Sequence, residues 1–158
     1  MTLPYTWDSE PKMSEISRVS ATDVPELHGL VEKYRAFYKQ PENEKTLGYL
    51  EQRIANEEAI AFIARDSGKA VGFTLLYPTF STVSLSNIWL LNDLYVDESA
   101  RGKGIASELM DVAESAAKSA GATRVFLRTA NDNLPAQALY EGRNWVRDEV
   151  FRRYDLVF

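Results

Sequence analysis

Residues 96–106 read Val96-Asp97-Glu98-Ser99-Ala100-Arg101-Gly102-Lys103-Gly104-Ile105-Ala106, and the run Ile88-Trp89-Leu90-Leu91-Asn92-Asp93-Leu94-Tyr95-Val96 leads into them. The leading run is apolar, β-branched and aromatic and predicts a strand. A turn comes next, then a small-residue loop carrying Arg101 and Lys103, then the start of a helix. The first free amides of that helix come from Gly102, Gly104, Ile105 and Ala106. Amides without intrahelical partners, at the positive end of the helix dipole, favour an anion such as phosphate. The glycines allow a pyrophosphate to approach the backbone, where a side chain would collide with it. A tight strand-to-helix turn with no ligand would use the same glycines.

Outward from this segment the pattern alternates strands and helices. Glu15–Ser20 predicts a first strand, and Thr22 or Asp23 caps a helix with Pro25 in its first turn. Leu27, Leu30, Val31, Tyr34, Phe37 and Tyr38 recur at helical spacing along it. Pro41 breaks it, and Thr46–Ala55 predicts a second helix. Ala59–Ala64 reads as a strand, and Asp66-Ser67-Gly68-Lys69 as a hairpin turn into a strand over Ala70–Phe80. Ser84–Val96 is the next strand, residues 102–120 the helix after the loop, and Gly121 its C-terminal cap. Thr123–Thr129 predicts a strand, Leu134–Gly142 a helix, and Trp145–Leu156 one or two final strands. The order β-α-α-β-β-β-α-β-α-β-β makes an α/β (α+β) fold, a mixed sheet with helices on both faces.

The 158 residues are enough for one domain with a sizeable core. Residues 1–12 read as a polar, flexible N-terminal arm and 13–158 as a single domain. No cysteine is present, which excludes disulfides, thiolate zinc sites and a cysteine nucleophile and suits a cytoplasmic setting. With one histidine, His28, neither a metal site nor a histidine-based triad is supported. The formal charge of −5 argues against a nucleic-acid partner and favours encounter with small cations such as amines. No run is long enough to span a bilayer.

Two motifs carry a family resemblance. Arg101-x-x-Gly104-x-Ala106 resembles the Gln/Arg-x-x-Gly-x-Gly/Ala signature of the GNAT superfamily of N-acetyltransferases; it lacks the spacing of a phosphate loop or a dinucleotide fingerprint. Asn133-Leu-Pro-Ala136-Gln-Ala-Leu139-Tyr140-Glu141 resembles the Asn-x-x-Ala-x-x-Leu-Tyr-Glu helix that follows the fifth GNAT strand. Gly72–Thr82, Leu91–Val96 and the Leu30-x-x-x-Tyr34-x-x-Phe37-Tyr38 helix resemble the diamine and histone/polyamine acetyltransferase branch. Diamine acetyltransferases usually carry Glu-Asp where this chain has Asn92-Asp93, a pair closer to the histone/polyamine side. Asn144 stands where the family usually has Gly, and Asn tolerates the left-handed backbone that turn needs.

The resemblance implies a mostly antiparallel sheet of six to seven strands whose central pair splays apart, with acetyl-CoA as cosubstrate and no metal. By that resemblance the backbone of Leu94, Tyr95 and Val96 holds the pantetheine arm and the acetyl carbonyl. The amides of Gly102, Lys103, Gly104, Ile105, Ala106 and Ser107, with the Arg101 and Lys103 side chains, hold the pyrophosphate. Asn133 contacts the pantetheine and Tyr140 protonates the departing thiolate. Tyr140 also lies on one helical face with Ala136 and Leu139, which suits a core aromatic; the two readings are compatible, with the ring packed and the hydroxyl exposed in a cleft.

The reaction expected is direct acetyl transfer to a primary amine of a polyamine, a diamine or an amino acid, with no covalent enzyme intermediate. Asp93 is the carboxylate expected nearest the amine, either as acceptor-site group or as structural hydrogen-bond acceptor. Asn92 and His28 are further candidates for substrate contact, His28 being equally suited to the surface. Glu42, Glu44 and Asp132 line an amine entrance or are solvated charges. The rival functions are a protein or peptide N-acetyltransferase and a non-catalytic acyl-CoA sensor. A homodimer through the alternating, apolar-ended segment Glu149–Phe158 completes the expectations.

Overall fold

A computed structural model describes residues 14–158. The expected arm over 1–12 lies outside them. The described residues divide into two units, one ending at Leu127 and the other Arg128–Phe158. The elements of the first are β1 (Glu15–Arg18), α1 (Val24–Phe37), α2 (Thr46–Ala55), β2 (Ile60–Asp66), β3 (Lys69–Ser81), β4 (Ser86–Val96), α3 (Ile105–Ser119) and β5 (Arg124–Leu127). The second holds α4 (Leu134–Gly142).

The five strands form one sheet in the order β1-β2-β3-β4-β5. Every neighbouring pair is antiparallel except β4–β5, which is parallel because α3 carries the chain from one to the other. Turn chemistry sets the β2–β3 hairpin: Ser67 and Gly68 both take positive φ, 53° and 80°, the pairing a two-residue loop needs to follow strand twist. Alternation then sorts the side chains. Ala61 and Ile63 of β2 with Phe73 and Leu75 of β3 join Val24, Leu27 and Leu30 of α1 and Leu50 of α2 in one buried cluster. The helix α3 packs on β2, β3 and β4 with Leu109, Met110, Ala113 and Ala117 buried at the 3.6-residue period. Gly72 lets it sit close: a Cβ there would lie 3.3 Å from Leu109 Cδ1 and 2.8 Å from the Tyr95 carbonyl oxygen.

Helix ends follow their sequence signals. Gly121, at φ 78°, closes α3 by donating to the Lys118 carbonyl while Ala122 donates to that of Ala117, the double bond of a left-handed cap. At the start of α1 the capping differs from expectation. Asp23 bonds no helix amide; its carboxylate instead accepts from the Ser20 N–H at 2.8 Å, stabilising the short turn Ala21–Asp23.

Among the described residues the sheet has five strands, not six to seven. Residues 145–156, expected as final strands, carry no regular secondary structure. Their alternating pattern satisfies strand propensity, yet a strand needs a ladder partner, and Val146, Val150, Phe151, Tyr154 and Leu156 are all exposed. Asn144 does adopt the left-handed backbone expected of it, with φ 66°.

Candidate active site

The strand β4 is regular except at one position. Leu91 lies opposite Leu76 and Asp93 opposite Leu75, leaving Asn92 as an extra residue without a partner on β3. Such a bulge shifts side-chain alternation by one place. Leu91 shares its face with Leu76, away from the α1 cluster; two residues later Asp93 shares Leu75's face, toward it. Without the extra residue, Asp93 would stand on the α3 side.

On the α1 side Asp93 meets tyrosines. Tyr34 of α1 faces its carboxylate, and Tyr77 of β3 feels its charge. Asn92 Nδ2 donates to Asp93 Oδ2 at 3.0 Å, and Thr74 Oγ1 donates to the Asp93 carbonyl at 3.0 Å. Burial raises the Asp93 carboxyl above the usual carboxylate range, an effect the Asn92 amide and the Tyr34 hydroxyl partly offset. The Tyr34 and Tyr77 hydroxyls are likewise pushed well above the ordinary phenol value, chiefly by burial. The Tyr77 hydroxyl lies 3.0 Å from that of Tyr49 on α2. Tyr34 packs edge-on against Phe73, Tyr95 and Tyr38. A half-buried carboxylate walled by phenol hydroxyls and rings suits an amine, through charge, hydrogen bonding and ring faces together.

Beyond the bulge, Leu94, Tyr95 and Val96 pair with Thr74, Phe73 and Gly72 of β3. On the opposite side β5 reaches only Ile88–Leu91, so the backbone of Asn92–Val96 has no ladder partner on β5. An arm containing amides fits such an edge as an added strand would.

The chain then turns through Glu98–Ala100 into the glycine loop. Gly102 and Gly104 take φ of 77° and 82°, and nothing lies within 4 Å of where a Cβ would stand at either. No side chain caps α3, whose N-cap is Gly104. Ile105 is buried, Ala106 and Ser107 are half-buried, and 101–104 are exposed. Left-handed glycines, open space beside them and an uncapped helix start fit a diphosphate. Three cations fasten the surroundings. Arg101 Nε donates to the Val96 carbonyl at 3.0 Å, with its guanidinium over the Phe37 ring. Lys103 Nζ reaches Asp66 at 3.1 Å. Lys33 of α1 bonds Asp97, holding that carboxyl below its ordinary value.

In the second unit the Asn133 side chain caps α4, accepting from the Ala136 N–H at 3.3 Å. Tyr140 is half-buried, its ring 6.1 Å from that of Trp145. His28 stands on α1, half-buried, with its Nε2 4.0 Å from Glu32 one helical turn on, whose carboxylate oxygens are buried. The structure therefore brings Asn92 and Asp93 together with Tyr34, Tyr49 and Tyr77, and sets 94–96 and 101–107 in succession along one strand-loop-helix. It pairs His28 with Glu32 instead. The sequence reading did not single out Tyr49 or Tyr77 and read Tyr34 as one of the apolar positions along its helix; the available signal was tyrosine where phenylalanine would pack as well.

Residues 27–145 match the model of the acetyltransferase (GNAT) family. The chain is 37% identical over 142 residues to the uncharacterized N-acetyltransferase YhfO of Bacillus subtilis (strain 168), covering 89% of this chain and 95% of that one. It is 33% identical over 92 residues to the D-amino-acid N-acetyltransferase HPA3 of Saccharomyces cerevisiae, covering 58% and 56%. Among solved structures it resembles a probable acetyltransferase with 33% identity and a TM-score of 0.85, over 91% of this chain and 97% of the other.

Proposed function

Because the chain belongs to the acetyltransferase (GNAT) family and is an acetyl-CoA-dependent N-acetyltransferase, we propose that its acceptor is the primary amine of a small molecule received at Asp93. The observation that carries this reading is the bulge at Asn92, which turns the Asp93 carboxylate into the tyrosine-lined face. The similarity to a D-amino-acid N-acetyltransferase supports a compact amine, with an amino acid as one candidate. The polyamine and diamine assignment rests on the sequence resemblance alone.

The cosubstrate supplies an acetyl group activated as a thioester. The backbone of Leu94–Val96, beyond the reach of β5, holds the arm and aligns its carbonyl. The Gly102–Ser107 amides hold the diphosphate. Asp93 orients the amine and takes up its proton, directly or through water, as the nitrogen bonds to the carbonyl carbon. A carboxyl raised by burial is the stronger base when ionised. As the carbon–sulfur bond breaks, the Tyr140 hydroxyl returns a proton to the sulfur. Asn133 shapes the start of α4, the helix that carries Tyr140. The family match runs from the first unit into the second, which supports reading 13–158 as a single acetyltransferase domain. A homodimer through Glu149–Phe158, whose apolar residues are exposed, is testable by light scattering on the eluting protein.

The test is thiol release from acetyl-CoA with a panel of amino acids, diamines, polyamines, simple alkylamines and a lysine-bearing peptide. Turnover with a small amine supports the reading. Turnover with the peptide alone moves the acceptor to protein lysines, and tight acetyl-CoA binding without release points to a sensor or to an acceptor outside the panel.

A further inference from the structure

Beyond Asp93, the tyrosine wall ends in a cation that the acetyl transfer itself does not use. Arg53 lies on α2 one helical turn after Tyr49, its guanidinium carbon 5.3 Å from the Tyr49 ring centroid. Its Nε approaches Glu58 at 2.8 Å without the alignment of a hydrogen bond. That contact fixes one edge of the guanidinium plane. Among the described residues, no protein acceptor is bonded to its two terminal nitrogens. The charge reaches the site, because Arg53 and Asp93 act with opposite sign on the Tyr77 hydroxyl, and Tyr77 in turn meets Tyr49 at 3.0 Å. Tyr77 stands two residues along β3 from Leu75, the residue opposite Asp93, a step of about 7 Å. A carboxylate at one end, phenol hydroxyls between, and a planar five-donor cation at the other is a polar gradient across one small surface.

We infer that Arg53 is a specificity-determining residue that receives a carboxylate, and that the preferred acceptor is a zwitterion: a small primary amine carrying its own carboxylate. This rests on the acceptor reading of Asp93 and adds the substrate class to it. The ammonium or amine end lies toward Asp93, the acid end toward the Arg53 terminal nitrogens, where whichever of the Tyr49 and Tyr77 hydroxyls does not donate to the other can donate to it. An acceptor with two cationic ends would set one of them against Arg53, so the same residue disfavours diamines.

The experiment measures kcat/KM for three matched pairs, alanine, β-alanine and phenylalanine each against its carboxamide, with ethylamine as a carboxylate-free amine. Wild type and Arg53→Gln are compared at one pH. Taking the acid-to-amide ratio in each protein and then their quotient cancels the differing basicity of the two amines. At least one pair is expected to lose tenfold or more of its ratio in Arg53→Gln, with Arg53→Lys intermediate and acetyl-CoA affinity unchanged in both. Turnover of amines with a ratio that Arg53→Gln does not move overturns this inference and leaves the acceptor reading standing. No turnover of any amine by a protein that binds acetyl-CoA overturns both.

Discussion

Asn92 Nδ2 donates a hydrogen bond to Oδ2 of its immediate neighbour Asp93 at 3.0 Å. In a regular strand, adjacent side chains point to opposite faces and do not meet this way. The bulge brings these two onto one side, so Asp93 arrives at the tyrosine wall with a fixed partner. The arrangement costs stability, because burial disfavours the ionised carboxylate.

Asp93→Asn is therefore expected to stabilise the fold while damaging the enzyme. With its carboxyl raised above 3.8, Asp93 charges in the folded state at a cost present above that raised pKa. The cost disappears as pH falls through it. The variant should melt about 2–4 °C higher at neutral pH, the shift roughly 1 kcal/mol gives in a chain of this size. The difference should shrink in acid. Turnover should fall about a hundredfold or more, as loss of a general base does. Melting curves at pH 4 and pH 7 beside the thiol assay check both halves; an unchanged kcat/KM removes Asp93 from the chemistry.

Tyr34→Phe tests the same carboxylate from its other side. The Tyr34 hydroxyl lowers the Asp93 carboxyl against the effect of burial. Removing it raises that pKa further, so the acidic limb of the kcat/KM profile should move to higher pH while the plateau changes less. A profile that keeps its acidic limb in place shows that a group other than Asp93 sets it.

Gly72→Ala probes the close approach of β3, β4 and α3. The added methyl would stand 2.8 Å from the Tyr95 carbonyl oxygen, a backbone atom that cannot turn aside. Destabilisation of about 1–3 kcal/mol is expected, the usual cost of overpacking. Urea denaturation measures it, and a neutral result would mean that the sheet yields there.

Much of this was legible because it is local. The glycine loop, the Ser67-Gly68 turn and the Gly121 cap each need a particular backbone that particular residues supply, and each stands where the sequence put it. The bulge was not legible: Ile88–Val96 reads as one uninterrupted strand, and only pairing with β3 reveals the extra residue. Nor was the tyrosine wall, because Tyr34, Tyr49 and Tyr77 come from α1, α2 and β3 and each alone passes for a core or surface aromatic. Residues 145–156 show the opposite error, since a period-two pattern says nothing about whether a partner strand exists.

Gly104→Glu separates binding from folding. At φ 82° a non-glycine residue costs about 1–2 kcal/mol, while an added Cβ would meet nothing within 4 Å. The variant should fold with a modest loss of stability. Its carboxylate would stand at the uncapped start of α3 and repel a diphosphate, so titration calorimetry should show acetyl-CoA binding lost. Normal binding by the folded variant places the cofactor elsewhere.

Tyr140→Phe tests the proton that must reach the sulfur. The substitution keeps the ring that lies 6.1 Å from that of Trp145 and removes only the hydroxyl, so helix α4 and its Asn133 cap should persist. If the hydroxyl is the general acid, kcat should fall about ten- to a thousandfold with acetyl-CoA affinity unchanged, because the group acts as the carbon–sulfur bond breaks. A thioester with a more acidic thiol needs less help from an acid. Acetyl transfer from such a donor should therefore fall less in Tyr140→Phe than transfer from acetyl-CoA. Equal losses with both donors would assign Tyr140 to packing, and loss of cofactor affinity would assign it to binding.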